Sequence, residues 1–442
     1  AVADNTLVTQ VQFHAASIVA DQIVQQNAKL DFEWIVAADD AAPKLRGLKL
    51  SDYEEVITRK KLGPLMADCT LSVLGKNKCF EEQLLYGQEH WIRRRPLTLG
   101  LDNFGHHGLA VGDVNGDGLE DIYVCQTGGL PNRLFIQNKD GTATDRAREL
   151  NVDIMERTQS ALLVDLDNDG DQDLVLGTQA SILMMENDGD GKFTIKSIGS
   201  LPNSYSLAAA DYDADGDLDI YACFYAEITQ FQRNAGLGLQ PIPYHDANNG
   251  SPNALLRNDS DWKFVDVTAD VGLDQNNRRW SFAASWEDYD NDGDVDLYVA
   301  NDFGRNNLYR NDEGKFKDVA ADAGVEDAAS GMSVSWADFN RDGTMDFYVG
   351  NMFSAAGNRI AYQRRFRDDA DARSRKDLQR FARGNSLFMN TGDARFRDVS
   401  VESGTMMGRW SWASEWIDLN NDGWQDLVVA NGYITGEQPD DL

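Results

Sequence analysis

The chain has 442 residues and carries 73 Asp and Glu against 41 Lys and Arg, a formal net charge of −32. That balance opposes binding to phosphate backbones or anionic lipid. The 42% hydrophobic and 10% aromatic content is that of a globular chain, and no window approaches the roughly 18 uninterrupted apolar residues of a membrane span.

Residues 1–81 read as a mainly helical N-terminal extension. Apolar residues fall at helical spacing over 6–28, and 51–66 reads as a shorter helix. The chain begins at Ala1 rather than Met, which fits a processed or trimmed export product. Cys69 and Cys79 are near enough in sequence to pair; Cys125 and Cys223 end apolar runs and read as buried thiols.

From Asp113 onward the acid is clustered and periodic. The pattern D-x-[DN]-x-D-G-x-x-D occurs six times, starting at Asp113, Asp165, Asp211, Asp288, Asp338 and Asp418. Before it stands a run such as SALLVD or SVSWAD, with Trp286, Trp336 and Trp416 each two residues ahead of the first Asp. After it come runs such as IYVC and LYVAN, then NALLRND and NNLYRND, then FVDVT, FKDVA and FRDVS. Each run is short, rich in β-branched and aromatic residues, and bounded by Gly, Asn and Asp, so each reads as a strand. Four strands in a unit of about 50 residues is a propeller blade, and the Trp residues read as packing between blades. The fold class is therefore all-β: a β-propeller of four-stranded blades over 82–434, with six blades favoured over seven. The sixth unit lacks two strands before a tail at 435–442. Residues 82–96 read as those strands, because Trp91 precedes Asp113 by the same 22 residues that separate Phe316 from Asp338 and Phe396 from Asp418.

The acidic phrase has the chemistry of a metal loop. Side chains at positions 1, 3, 5 and 9 converge if Gly at position 6 takes a positive φ, and position 7 supplies a carbonyl. The ligand positions are Asp113, Asn115, Asp117, Leu119 and Asp121 in the first loop, and Asp165, Asp167, Asp169, Asp171 and Asp173 in the second. They are Asp211, Asp213, Asp215, Asp217 and Asp219 in the third, and Asp288, Asp290, Asp292, Asp294 and Asp296 in the fourth. The fifth has Asp338, Asn340, Asp342, Thr344 and Asp346; the sixth has Asp418, Asn420, Asp422, Trp424 and Asp426. An all-oxygen set with three or four carboxylates suits Ca²⁺ better than Mg²⁺, and about six ions are expected. The loops carrying Asp167, Asp213 and Asp290 at position 3 should bind tightest. An EF-hand would need Glu at position 12 on an exiting helix; here that position is Val, Leu or Ala within a strand-like run. Of 24 side-chain ligand positions 21 are Asp, and six divalent ions would bring −32 to −20.

These loops and flanking strands resemble the FG-GAP/VCBS repeats of calcium-binding β-propellers, as in integrin α-subunit heads and many secreted bacterial proteins. The run SWEDYDNDGDVDLYVAND (285–302) with NNLYRNDEGKFKDVAADAG (306–324) carries the resemblance most fully. It implies calcium loops on one rim of the propeller and an extracellular or periplasmic location.

Two insertions depart from the repeat, at about 225–252 and about 353–384. Both leave after a second strand, so both emerge from one rim. Tyr244 and His245 in the first, and Arg364, Arg365, Arg367, Arg373 and Arg375 in the second, are the candidate partner-binding residues. No GxSxG, Walker or HExxH motif occurs, and no catalytic residue is assigned. The expected function is a secreted, calcium-stabilised binding, adhesion or assembly module for a protein or glycan partner, self-assembly included. The alternative is a carbohydrate-active lyase or hydrolase using the rim.

Overall fold

The computed structural model describes residues 6–19, 22–36, 42–59, 67–87, 90–91, 93–94, 108–225, 240–363 and 365–432. The tail at 435–442 and Arg364 lie outside the described residues. The chain divides into two compact units, Ala1–Ser72 and Val73–Leu442.

The first unit corrects the helical expectation. Its strands β1 (Thr6–Val19), β2 (Gln22–Ile35) and β3 (Lys44–Arg59) form an antiparallel sheet in that order. The apolar residues of 6–28 fit a period of two as well as one of 3.6, and the segment is rich in Val, Ile and Thr, which favour strands. Cross-strand partners decide between the two. Leu7 pairs with Trp34 and Trp34 with Leu45; Val11 pairs with Leu30 and Leu30 with Leu50. The same sheet takes residues 51–59 of the segment 51–66, expected as helix, into β3; residues 60–66 lie outside the described residues.

Among its described residues the second unit holds six antiparallel sheets, each with one acidic loop between its first and second strands. Sheet 1 comprises β4 (Leu109–Gly112), β5 (Asp121–Val124), β6 (Arg133–Gln137) and β7 (Ala143–Asp145). Sheet 2 comprises β8 (Thr158–Val164), β9 (Asp173–Thr178), β10 (Ile182–Asn187) and β11 (Phe193–Gly199). Sheet 3 comprises β12 (Ser204–Ala210), β13 (Asp219–Phe224), β14 (Ala254–Asn258) and β15 (Phe264–Asp266). Sheet 4 comprises β16 (Trp280–Glu287), β17 (Asp296–Phe303), β18 (Asn307–Asn311) and β19 (Phe316–Asp318). Sheet 5 comprises β20 (Gly331–Ala337), β21 (Asp346–Asn351), β22 (Ser386–Asn390) and β23 (Phe396–Asp398). Sheet 6 has only β24 (Ser411–Ile417) and β25 (Asp426–Asn431) among the described residues. The first strands of successive sheets lie side by side in chain order, as in a β-propeller.

Residues 82–96 do not supply strands to sheet 6 among their described positions. Phe80–Leu84 forms a π-helical turn, and Cys79 and Phe80 are buried. Helical spacing puts Cys79 and Leu84 against Phe135 and Ala143 of sheet 1. The Gln83 side chain donates to the Pro131 carbonyl at 3.0 Å and accepts from Arg133. All four cysteines are free, so Cys69 and Cys79 do not pair; Cys125 and Cys223 are buried as expected.

The core lies between sheets rather than within them. One apolar cluster joins sheets 1 and 2, another sheets 2 and 3, and so on to sheets 5 and 6. An edge-on Tyr–Trp pair recurs at three of these contacts: Tyr221–Trp286 at 6.1 Å, Tyr298–Trp336 at 6.4 Å and Tyr348–Trp416 at 6.5 Å. The Trp residues therefore do pack between sheets. Phe347 is fully buried, 4.5 Å from Tyr298 and 4.6 Å from Trp336. Replacing Phe347 by Ala should lower unfolding stability by about 3–5 kcal/mol. Replacing the exposed Leu109 by Ala should change it by less than about 0.5 kcal/mol. Urea denaturation of both variants checks this, and equal losses would contradict the core assignment.

Candidate metal centres

Each acidic loop is a tight hairpin built on two left-handed residues. Gly at position 6 has φ between 83° and 98° in all six loops, as expected. Position 4 is also left-handed: Gly116, Asn168, Ala214, Asn291, Arg341 and Asn421 have φ between 56° and 67°. Gly and Asn tolerate that conformation; Ala214 and Arg341 are held there by the loop.

The turn aims carboxylates inward. In the third loop Asp211 accepts from the backbone N–H of Asp215 and of Gly216, both at 3.0 Å, and Asp215 accepts from Asp217 N–H at 3.0 Å. The fourth loop repeats these bonds through Asp288 and Asp292. In three loops the residues at positions 1, 3 and 9 converge: Asp165, Asp167 and Asp173; Asp211, Asp213 and Asp219; Asp288, Asp290 and Asp296. In each group the nearest carboxylate oxygens lie within 4.8 Å of one another. These are the loops with Asp at position 3. In the fifth loop the Asn340 side chain turns onto Asp342, donating at 2.9 Å.

Position 9 is the structural centre of each site. Asp173 accepts from Leu166 N–H at 2.9 Å with one oxygen and from Asn187 N–H at 2.8 Å with the other. Asp121, Asp219 and Asp296 repeat the arrangement. With no cation, burial pushes Asp173, Asp219 and Asp346 up to about 7 and Asp296 up to about 8, against the pull of the backbone N–H donors. Burial, followed by repulsion from the neighbouring Asp, raises Asp167, Asp213 and Asp290 as well.

The donor set fits a hard divalent cation. Asp165 Oδ1, Asp167 Oδ1, Asp213 Oδ1, Asp290 Oδ1 and Asp346 Oδ2 are buried oxygens with no hydrogen-bond partner in the protein. A buried, unpaired carboxylate oxygen is costly unless a cation or proton meets it. Position 7 side chains stay out of these groups. Asp294 accepts from Glu313 N–H at 2.8 Å, Asp217 accepts from Asn168 of the preceding loop at 2.8 Å, and the Trp424 ring lies 3.8 Å under the Arg341 guanidinium.

A relay missed in the sequence ties one loop to the next. The Asn ending the third strand gives its backbone N–H to position 9 of its own loop. Its side chain donates to the position 2 carbonyl of the preceding loop: Asn187 to Val114, Asn258 to Leu166, Asn311 to Tyr212 and Asn390 to Tyr289, all at 2.8–2.9 Å. Position 2 in turn gives its N–H to position 9 of its own loop. The sequence signal was the Asn repeated in SILMMEN, NALLRND, NNLYRND and NSLFMNT.

The two insertions meet, as their shared exit rim implies. The Tyr244 ring lies 5.1 Å from Phe381, and His245 Nε2 is 3.2 Å from Ser374 Oγ. Arg305 bridges them, pairing with Asp246 at 3.4 Å and with the buried Asp377 at 2.7 Å; that network was not foreseen. Arg373 and Arg375 lie on the helix Ala372–Phe381, while Arg365 and Arg367 lie on the exposed turn before it.

Asn311→Ala removes the donor to the buried Tyr212 carbonyl and the half-buried Val295 carbonyl, and the acceptor for Gly314 N–H. It should cost about 2–4 kcal/mol of unfolding free energy. The exposed Asn276, bonded to Asp318, should cost under about 1 kcal/mol as Ala. Chemical denaturation of the two variants makes the comparison; equal losses would contradict the relay.

The comparisons with known proteins concern these same segments. A family model described as FG-GAP-like repeat matches residues 113–176, 165–222, 288–349 and 378–429, which include all six acidic loops. No curated protein matches the chain. One solved structure similar to it is an Agrocybe aegerita lectin, described by its specific recognition of non-reducing terminal N-acetylglucosamine. It has 17% identity and a TM-score of 0.41 over 73% of this chain and 74% of that one. With slightly more than half of its residues matched, this chain belongs to the FG-GAP-like repeat family.

Proposed function

We propose that this chain is a calcium-stabilised binding module that works outside the cytoplasm. The observation that carries the calcium reading is the set of buried carboxylate oxygens without partners in successive loops. Positions 1, 3, 5 and 9, with the position 7 carbonyl, would hold one Ca²⁺ per loop. The three loops with Asp at position 3 would bind tightest, and six ions would be bound at saturation. Each ion neutralises carboxylates that otherwise repel, and it stabilises the folded state by mass action. A high-calcium compartment suits sites of this kind.

The rim formed by the two insertions is the proposed partner surface. Tyr244 is 51% exposed and Tyr362 60% exposed, beside the exposed Arg365, Arg367 and Arg373. Tyr and Arg dominate interface energetics, and in a chain of −32 a local basic cluster selects a carboxylated or sulfated glycan or protein segment.

Adding calcium to chelated protein should raise the melting temperature by many degrees, since each site held at a hundredfold over its Kd adds about 2.7 kcal/mol. No shift would end the calcium reading. The effect has a definite pH dependence. For the metal-free protein the raised carboxyls of Asp173, Asp219, Asp296 and Asp346 favour the protonated folded state. Their stabilising contribution is full below the unfolded value and is lost as pH rises through about 7–8. Calcium needs the ionised form. The gap in melting temperature with and without calcium should therefore be widest near about pH 8 and shrink toward about pH 5.5; a constant gap would contradict it. For the rim, a combined Tyr244→Ala, Arg365→Glu and Arg373→Glu variant should lose about tenfold or more in affinity for an acidic polysaccharide probe, with calcium-dependent melting retained. Unchanged binding would remove the rim from the account.

A further inference from the structure

We propose that the apolar face of the N-terminal sheet is a docking surface for a second copy of this chain. Alternate residues of β1, β2 and β3 share that face, and on it Val11, Phe13, Leu45, Leu48, Leu50 and Ile57 are exposed. Phe32 and Trp34 stack at 6.0 Å on the central strand between them. Scattered exposed apolar residues need no explanation; a continuous set of cross-strand rows does. Antiparallel sheets commonly cover one apolar face and leave the other in water.

The dimensions fit a second copy. The rows run from Leu7–Trp34–Leu45 to Ser17–Val24–Ile57. That is roughly 33 Å along the strands, across three strands roughly 14 Å wide in all. Two such strips face to face remove on the order of 1,000 Å² from water, the threshold for a specific interface. Aligned sheets pack about 10 Å apart, and one face used twice makes a closed two-fold contact.

Charge favours the same occupant. Residues 1–72 hold seven Lys and Arg against ten Asp and Glu, so this unit carries only −3 of the total −32. A charge this small does not oppose contact between two copies of the unit. The opposite face carries the pairs Gln10–Asp31, Arg46–Glu33 and Asn27–Glu54 beside the exposed Val8, Ile35 and Val56. The polar groups among the apolar rows are already satisfied: Gln26 donates to Glu55 at 2.6 Å and Tyr53 to the same carboxylate at 2.7 Å.

The test is sedimentation velocity of the full chain in calcium across the micromolar range. The expected species is a dimer of twice 49.1 kDa. Leu48→Glu, on the apolar face, should weaken it at least tenfold. Lys49→Glu, the next residue along β3 and on the opposite face, should leave it intact, and calcium-dependent melting in both variants reports a folded propeller unit. A monomer throughout the range overturns the proposal and assigns the face to another occupant. A dimer unaffected by Leu48→Glu, or dissociated equally by Lys49→Glu, overturns it too.

Discussion

A buried aspartate at the ninth position of each of the first five loops carries the architecture. Its two oxygens hold together the loop and the end of the third strand, as with Leu166 and Asn187 on Asp173. Two backbone N–H donors favour the charged form, yet burial outweighs them and raises the carboxyl. Unless protonated, the metal-free site holds unbalanced charge on Asp165, Asp167 and Asp173, which the proposed cation would neutralise. Because position 2 of each of the first four loops also accepts from the Asn of the next sheet, whatever fixes one loop also fixes its neighbour.

Much of this was legible in the sequence, since its causes are local. The acidic period, the Gly at position 6, the strand runs and the Trp before each of the last three phrases depend on residues within a few positions of one another. The relay was not legible. Asn311 and Tyr212 stand 99 residues apart, and a repeated Asn reads equally well as a turn residue. The helical reading of 6–28 failed because the segment fits two periods, and the partners that settle the choice, Trp34 and Leu45 among them, come later in the chain. Residues 82–96 misled for another reason. The 22-residue interval from Trp91 to Asp113 is shared with the real fourth strands, but Cys79 and Leu84 pack against sheet 1 and Phe80 is buried in a helical turn.

The insertions show the scaffold used differently. Their contact surface includes buried charge, with Arg305 between Asp246 and Asp377, and it stands on regular strand ends. Such a network is costly to leave half-paired, so it fixes one arrangement of the two segments. That leaves Tyr244, Tyr362 and the arginines on a defined platform, at the opposite ends of the second strands from the acidic loops.

The central claim is that calcium and the Asn relay act as one unit across successive sheets. Amide hydrogen exchange at Asn187, Asn258, Asn311 and Asn390, with and without calcium, tests it most directly, because each of these N–H groups donates to a position 9 carboxylate. The account predicts strong protection in calcium and a joint loss of protection at all four amides on chelation. Protection that is independent of calcium, or that is lost at one amide while the others keep it, would contradict it.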